Sequence, residues 1–182
     1  LQDIEASDLE RQMEELRRFT HTHRLRVAAA DISGAIPVMK VSDCLTELAE
    51  VAVQEVLKLA WADLVAKHGR PTAMVNGELV YPEFSIIAYG KLGGIELGYG
   101  SDLDLVFLHE SGGVSQQTEG PKIIENQVFF MRLGKKVIHY LATRTPAGIL
   151  YEIDMRLRPS GNSGLLVVDV DTFEKYQMER AW

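Results

Sequence analysis

Two carboxylates, Asp102 and Asp104, stand in an otherwise apolar run, Gly98-Tyr-Gly-Ser-Asp-Leu-Asp-Leu-Val-Phe107. A strand bound for the core normally excludes Asp, because a carboxylate taken out of water needs hydrogen bonds, an opposite charge or a metal. Residues two apart on a strand face the same way, so the two acids project together while Leu103, Leu105 and Phe107 face the core behind them. A second stretch, Ile149-Leu-Tyr-Glu-Ile-Asp-Met-Arg-Leu-Arg158, reads as a strand with Ile149, Tyr151, Ile153, Met155 and Leu157 on one face. Glu152, Asp154, Arg156 and Arg158 share the other. If the two strands lie side by side, Asp154 joins the acidic pair, flanked by Arg156 and Arg158. Three close carboxylates repel one another and would retain a proton, whereas a divalent cation supplies the missing charge. Oxygen-only ligands favour Mg²⁺ or Mn²⁺, since zinc prefers the His and Cys absent from this cluster. Magnesium commonly completes its shell with waters and substrate phosphate oxygens, so the implied substrate is a nucleoside triphosphate.

The Gly93-Gly94 pair just ahead of the acidic strand fits that inference. Glycine lets backbone approach phosphates closely, and a helix turn following at Ile95-Glu-Leu would aim free N–H groups at them. Lys91 adds a positive charge nearby. A Gly-Gly pair is also ordinary turn chemistry, and its place before the acidic strand is what raises the functional reading. Arg156 and Arg158 equally suit ion pairing with the acids as structure. His21, His23, His68, His109 and His139 lack metal-ligand spacing, and only His109 lies near the acidic strand. Cys44 has no His or Asp pattern around it and reads as a small packed side chain.

These residues need elements to hold them. Ser7 is placed to cap a first helix with Leu9, Met13, Leu16 and Thr20 to Val27 at helical spacing, and Glu14-Glu15 and Arg17-Arg18 form its solvated face. Pro37 marks a break, after which Ser42 and Asp43 open a second helix with Leu45, Leu48, Ala52, Val56 and Leu59 inward, ended by Gly69 and Pro71. Val75-Asn-Gly-Glu is turn chemistry, and Phe84 to Gly90 is a strand-length apolar run. A glycine-rich loop, 91–101, leads into the strand 102–110. The polar stretch from Ser111 to Pro121 reads as a connection, and a helix from about Lys122 to Thr143 carries Ile124, Val128, Leu133, Val137 and Leu141 inward.

Composition narrows the partners. A net charge of −7 and a pI near 5.3 disfavour broad phosphate neutralisation on nucleic acid. One cysteine permits no internal disulfide. No apolar run approaches a membrane span, and the acidic start, LQDIEASDLERQ, is unlike a signal peptide, so a cytoplasmic protein is expected. The chain opens at Leu1 without Met and stops within a helix-like TFEKYQMERAW, which reads as a fragment of a longer polypeptide.

The combination of GKLGG, SDLDLVF and a later strand Asp resembles the nucleotidyltransferase superfamily of the DNA polymerase beta type. More narrowly, YGKLGGIELGYGSDLDLVFLHE and ILYEIDMRLRPSGNSG, with LERQMEELRRF and VMKVSD, resemble the bacterial bifunctional glutamine synthetase adenylyltransferase/adenylyl-removing family. That family has two related halves, one attaching AMP to a tyrosine of glutamine synthetase and one removing it by phosphorolysis. GYGSDLDLVFLHE in place of NFSSDIDLIF, and RPSG in place of RPFG, are more similar to the carboxy-terminal, adenylylating half; Gly100 departs from the usual Ser.

The resemblance implies an α+β fold, a mixed sheet with packed helices: a helical segment at 1–72 packing on a catalytic core at 73–182. It implies that Asp102 and Asp104 hold two metal ions, that Asp154 shares one and helps deprotonate the tyrosine, and that pyrophosphate leaves. Gly93, Gly94 and Ser101 would contact phosphates, and Arg156 and Arg158 would bind phosphate oxygens or organise the acids. ATP with Mg²⁺, glutamine synthetase, and a nitrogen-signalling protein acting on the full-length enzyme are the implied partners. Phosphorolytic AMP removal is the alternative activity, and a non-catalytic module binding nucleotide or glutamine synthetase is the alternative from another class.

Overall fold

The computed structural model describes residues 8–180. In chain order its elements are α1 (Leu9–Ile32), α2 (Val38–His68), β1 (Pro71–Val75), β2 (Glu78–Val80), β3 (Phe84–Ala88), the single turn α3 (Gly90–Gly93), β4 (Leu103–His109), β5 (Val114–Thr118), α4 (Asn126–Ala142), β6 (Ile153–Asp154), a 3₁₀ turn (Gly161–Ser163), β7 (Val167–Asp169) and α5 (Val170–Glu179). Helices with mixed sheets make this the expected α+β fold. One sheet runs β3-β4-β6, with β7 also paired to β4; the other runs β2-β1-β5. Among the described residues no helix is long and apolar enough to cross a membrane.

The chain forms two compact units interleaved in sequence. The first holds residues up to Leu59, Ala88–Asp104 and Val137–Asp154; the second holds Ala60–Ile87, Leu105–Lys136 and residues from Met155 onward.

In the first unit, α1 is capped by Asp8, whose side chain accepts from the Arg11 amide at 3.1 Å. The expected cap, Ser7, lies outside the described residues. Met13, Leu16 and Thr20 are buried as the spacing predicts, but Arg17 does not lie on a solvated face: it is only 4% exposed. Its Nη2 donates to the carbonyls of Tyr140 at 3.4 Å and Thr143 at 3.3 Å. A cation is thus spent on orphan carbonyls at the end of α4, where the helix dipole favours positive charge. Burial lowers its pKa, with Glu14 acting in the opposite sense. Arg24 donates to the Leu150 carbonyl at 3.4 Å and lies 4.8 Å over the Tyr151 ring, fastening α1 to the segment that leads into β6. The second helix begins at Val38, directly after Pro37, and not at Ser42. Proline's fixed φ suits a helix start, which is why the break and the start coincide.

The second unit contains the hairpin β1–β2, closed by Asn76 and Gly77, both at positive φ (52° and 84°). Asn-Gly tolerates that conformation and matches the strand twist. β5 pairs antiparallel with β1, so the polar stretch after Ser111 contains a strand that its composition concealed. In α4 the inward residues of this unit are Phe129, Phe130 and Leu133, all fully buried, whereas Val128 is 38% exposed and Ile124 precedes the helix. Adjacent aromatics set the phase, since each fully buried phenyl ring is worth about 1.5–3 kcal/mol. Phe130 stacks on His109 (4.8 Å between centroids) and on Phe84 (6.1 Å), while Trp61 meets Phe129 edge-on at 5.4 Å.

Candidate active site

β4 carries Asp104, and Asp102 stands immediately before its first residue. Leu103 and Leu105 are fully buried behind Asp104, which is half-buried, while Asp102 is exposed. Beyond Leu105 both faces of the strand are covered, as expected of a strand with neighbours on either side. β6 lies parallel to β4 with Leu103 opposite Ile153 and Asp104 opposite Asp154, and the Leu103 amide donates to the Glu152 carbonyl at 2.9 Å. Adjacent strands run about 4.8 Å apart, so residues in register present their side chains to the same face. The fold therefore seats Asp154 beside Asp104, with Asp102 two residues earlier, just before the strand begins. Among the described residues, no three His, Cys, Asp or Glu side chains are gathered into a ready metal cage. The donor chemistry nevertheless fits a hard cation: paired carboxylate oxygens, with water and phosphate oxygens left to complete the shell.

The strand expected over 149–158 is not formed. Only Ile153 and Asp154 pair; Leu150 and Tyr151 are both buried, and Leu157 is 49% exposed. Turn chemistry defeats the alternation, because Pro159, Ser160 and Gly161 follow at once and the chain folds back on itself. The Arg158 amide (3.4 Å) and its Nη1 (2.6 Å) both donate to the Met155 carbonyl. Arg158 thus closes its own turn, while its buried Nε has no hydrogen-bond partner. Arg156 and Arg158 belong to the second unit; the three acids belong to the first.

The glycine turn is also displaced from its expected place. Helical geometry begins at Gly90, and the turn's bonds are internal: Gly93 N–H to Tyr89 O (3.0 Å), Gly94 N–H to Gly90 O (3.0 Å), Ile95 N–H to Leu92 O (3.2 Å) and Glu96 N–H to Lys91 O (2.8 Å). No free N–H array follows Gly94. Gly93 is required because a Cβ there would press on the Ala88 carbonyl. Lys91 is exposed and Leu92, 5% exposed, anchors the turn. Ser101 closes the following loop: its Oγ accepts from the Gly98 amide at 3.1 Å and its amide donates to Gly98 O at 3.2 Å.

Gly90 is the site residue that motif reasoning passed over. It sits at φ +54°, and a Cβ on it would collide with Oδ2 of Asp104. The Tyr89 amide donates to the Asp104 carbonyl at 2.9 Å, so backbone and side chain of Asp104 are both bounded by this corner. The signal was present in the sequence as the glycine ending the run Phe84 to Gly90. His109 lies at the other end of β4, five residues beyond Asp104, and takes no part in the acidic site.

The description "Glutamate-ammonia ligase adenylyltransferase" belongs to a family model that matches residues 1–182. The chain belongs to that family. A bifunctional glutamine synthetase adenylyltransferase/adenylyl-removing enzyme of Thioalkalivibrio sulfidiphilus is 54% identical over the whole chain, which covers 19% of that relative. The protein of the same name in Pseudomonas aeruginosa is 54% identical, again over the whole chain and 18% of the relative. Its counterpart in Pseudomonas putida is 56% identical over 98% of the chain and 18% of the relative. The chain therefore spans less than one-fifth of the length of these curated relatives.

Proposed function

We propose that this chain is the adenylylating centre of its family, transferring AMP from ATP to a tyrosine hydroxyl of glutamine synthetase with release of pyrophosphate. The observation that carries the reading is the parallel register of Asp104 with Asp154, two residues past Asp102 and against the Gly90 corner. Asp102 and Asp104 would hold two divalent cations, Mg²⁺ or Mn²⁺, with Asp154 sharing one of them. Bound there, such a cation supplies Lewis-acid stabilisation of the charge developing at the α-phosphate. Asp154 accepts the proton as the tyrosine oxygen attacks the α-phosphorus and the bond to the bridging oxygen breaks. Gly93 and Gly94 contact phosphates through the backbone of the turn. Ser101 and Lys91 bind phosphate oxygens, and Arg156 and Arg158 either bind phosphate oxygens or organise the acids.

On this reading residues 1–72 are a helical support and 73–182 the catalytic core, in a cytoplasmic enzyme on which a nitrogen-signalling protein acts. The test is the intact mass of glutamine synthetase subunits after incubation with the protein, ATP and Mg²⁺, beside pre-adenylylated subunits given orthophosphate. A gain of one AMP in the first sample supports the proposal. Loss of AMP in the second alone moves the chain to the removing activity that the relatives' names include.

A further inference from the structure

The loop between the glycine turn and β4 is short of anchors. Leu97 (1% exposed) and Leu103 (fully buried) pin its ends, while Gly98, Tyr99 and Gly100 between them are exposed. Its own closure, through Ser101 Oγ and the Gly98 carbonyl, is local and does not fix where the loop lies. One bond does. Tyr99 Oη donates to Asp31 Oδ2 at 3.0 Å across 68 positions of sequence, within the first unit. With glycine on both sides of Tyr99 the backbone is at its most permissive, so a side-chain tether has more to decide there than elsewhere.

Asp31 is itself oddly placed. It occupies the last turn of α1, where the helix dipole disfavours a carboxylate and where no basic residue accompanies it. The phenol hydroxyl gives that carboxylate a donor, and the carboxylate gives the loop a fixed point on a 24-residue helix.

We propose that Tyr99 is a positioning residue: latched to Asp31, it holds the Gly98–Ser101 loop so that Ser101 and Asp102 meet the nucleotide in register. This rests on the functional reading above. Neither Tyr99 nor Asp31 touches the reacting atoms; both act through the loop.

The experiment uses the intact polypeptide carrying this chain, with Tyr99→Phe, Asp31→Ala, Asp31→Asn and the Tyr99→Phe/Asp31→Ala double variant. Two readouts are taken: kcat and KM for ATP in AMP transfer to glutamine synthetase, and amide hydrogen exchange of the peptide spanning 97–103. Removing one hydrogen bond of this kind should lower kcat roughly 3- to 10-fold. Tyr99→Phe and Asp31→Ala should each do so, with similarly faster exchange in the loop and KM for ATP changed less than the turnover. The double variant should be no worse than either single, and Asp31→Asn, which keeps an acceptor oxygen, should behave as wild type. Multiplicative effects in the double variant, an Asp31→Asn as impaired as Asp31→Ala, or faster exchange without loss of turnover would each overturn the proposal. A wild-type protein that transfers no AMP overturns the functional reading instead, and the exchange data then decide alone whether the latch exists.

Discussion

Replacing Gly90 with alanine asks the corner for two concessions. An L-residue in the left-handed region costs about 1–2 kcal/mol, and loss of glycine's freedom in the unfolded chain returns about 0.4–1 kcal/mol, so stability should fall by only ~1 kcal/mol. The second concession falls on the site. The new methyl would occupy the position of Asp104 Oδ2, with the carboxyl carbon 3.0 Å and Asp104 Cβ 3.4 Å from it. The carboxylate can turn aside, since it is the end of a short flexible side chain, and a displacement of this order at a reacting centre is worth roughly 100-fold in rate. The assay pairs urea unfolding followed by circular dichroism with the initial rate of AMP transfer. Gly112→Ala is the control, because Gly112 has no positive φ and no heavy atom within 4 Å of a built Cβ. Gly90→Ala retaining transfer within 3-fold of wild type, at the stability expected, would falsify the idea that Asp104 must stand where Gly90 leaves room.

Further outcomes can be checked independently. Gly134→Ala gains about 1 kcal/mol of helix propensity, but its methyl would lie 2.7 Å from Val167 Cγ2 and 3.0 Å from Phe107 Cδ2; overpacking of about 1–3 kcal/mol should win, and a raised urea midpoint would count against this packing. Burial pushes Asp63 up, yet hydrogen bonds and charge from Lys136 and Lys67 outweigh it and hold the carboxyl below its usual 3.8. Lys136→Met should therefore destabilise by ~1 kcal/mol at neutral pH, an effect present above the unfolded value and shrinking as pH falls through the lower folded one. Equal destabilisation at pH 2 and pH 7 would refute it. Burial lowers the pKa of His109, with Asp169 opposing, and its Nδ1 accepts from the Ser111 amide at 3.1 Å, which requires the unprotonated ring nitrogen. Below about pH 6.5 the unfolded chain takes up a proton that the folded one refuses, so stability should drop as pH falls, by at most about 1.4 kcal/mol per unit from this group. Removing the imidazole with His109→Phe should flatten that limb of the urea midpoint plotted against pH.

Much of this arrangement was legible in the chain because it is local. The alternation around Asp102 and Asp104 marks a strand with a wet side and a dry side, and Asn76-Gly77 marks a hairpin. What stayed hidden depended on contacts distant in sequence. Arg17 looked like half of a surface charge pair, yet carbonyls more than 120 positions away bury it. β5 has a polar composition that only its pairing with β1 makes a strand. The alternation from Ile149 to Arg158 was real as a pattern, but the turn residues after it outweighed the pattern. Gly90 was visible as a strand terminator, while its close approach to Asp104 was not.

The brevity of β6 gives the acids unequal tenure. Asp104 belongs to a strand covered on both sides, which opens only when much of the fold opens. Asp154 is the last residue of a two-residue ladder followed at once by turns, and letting go of it breaks far less. Warming the protein should therefore scatter the acids before it melts the fold, so the Arrhenius plot for transfer bends downward at temperatures where circular dichroism still reports an intact protein. The thermal ceiling of the chemistry is set by two residues, and that of the fold by the core.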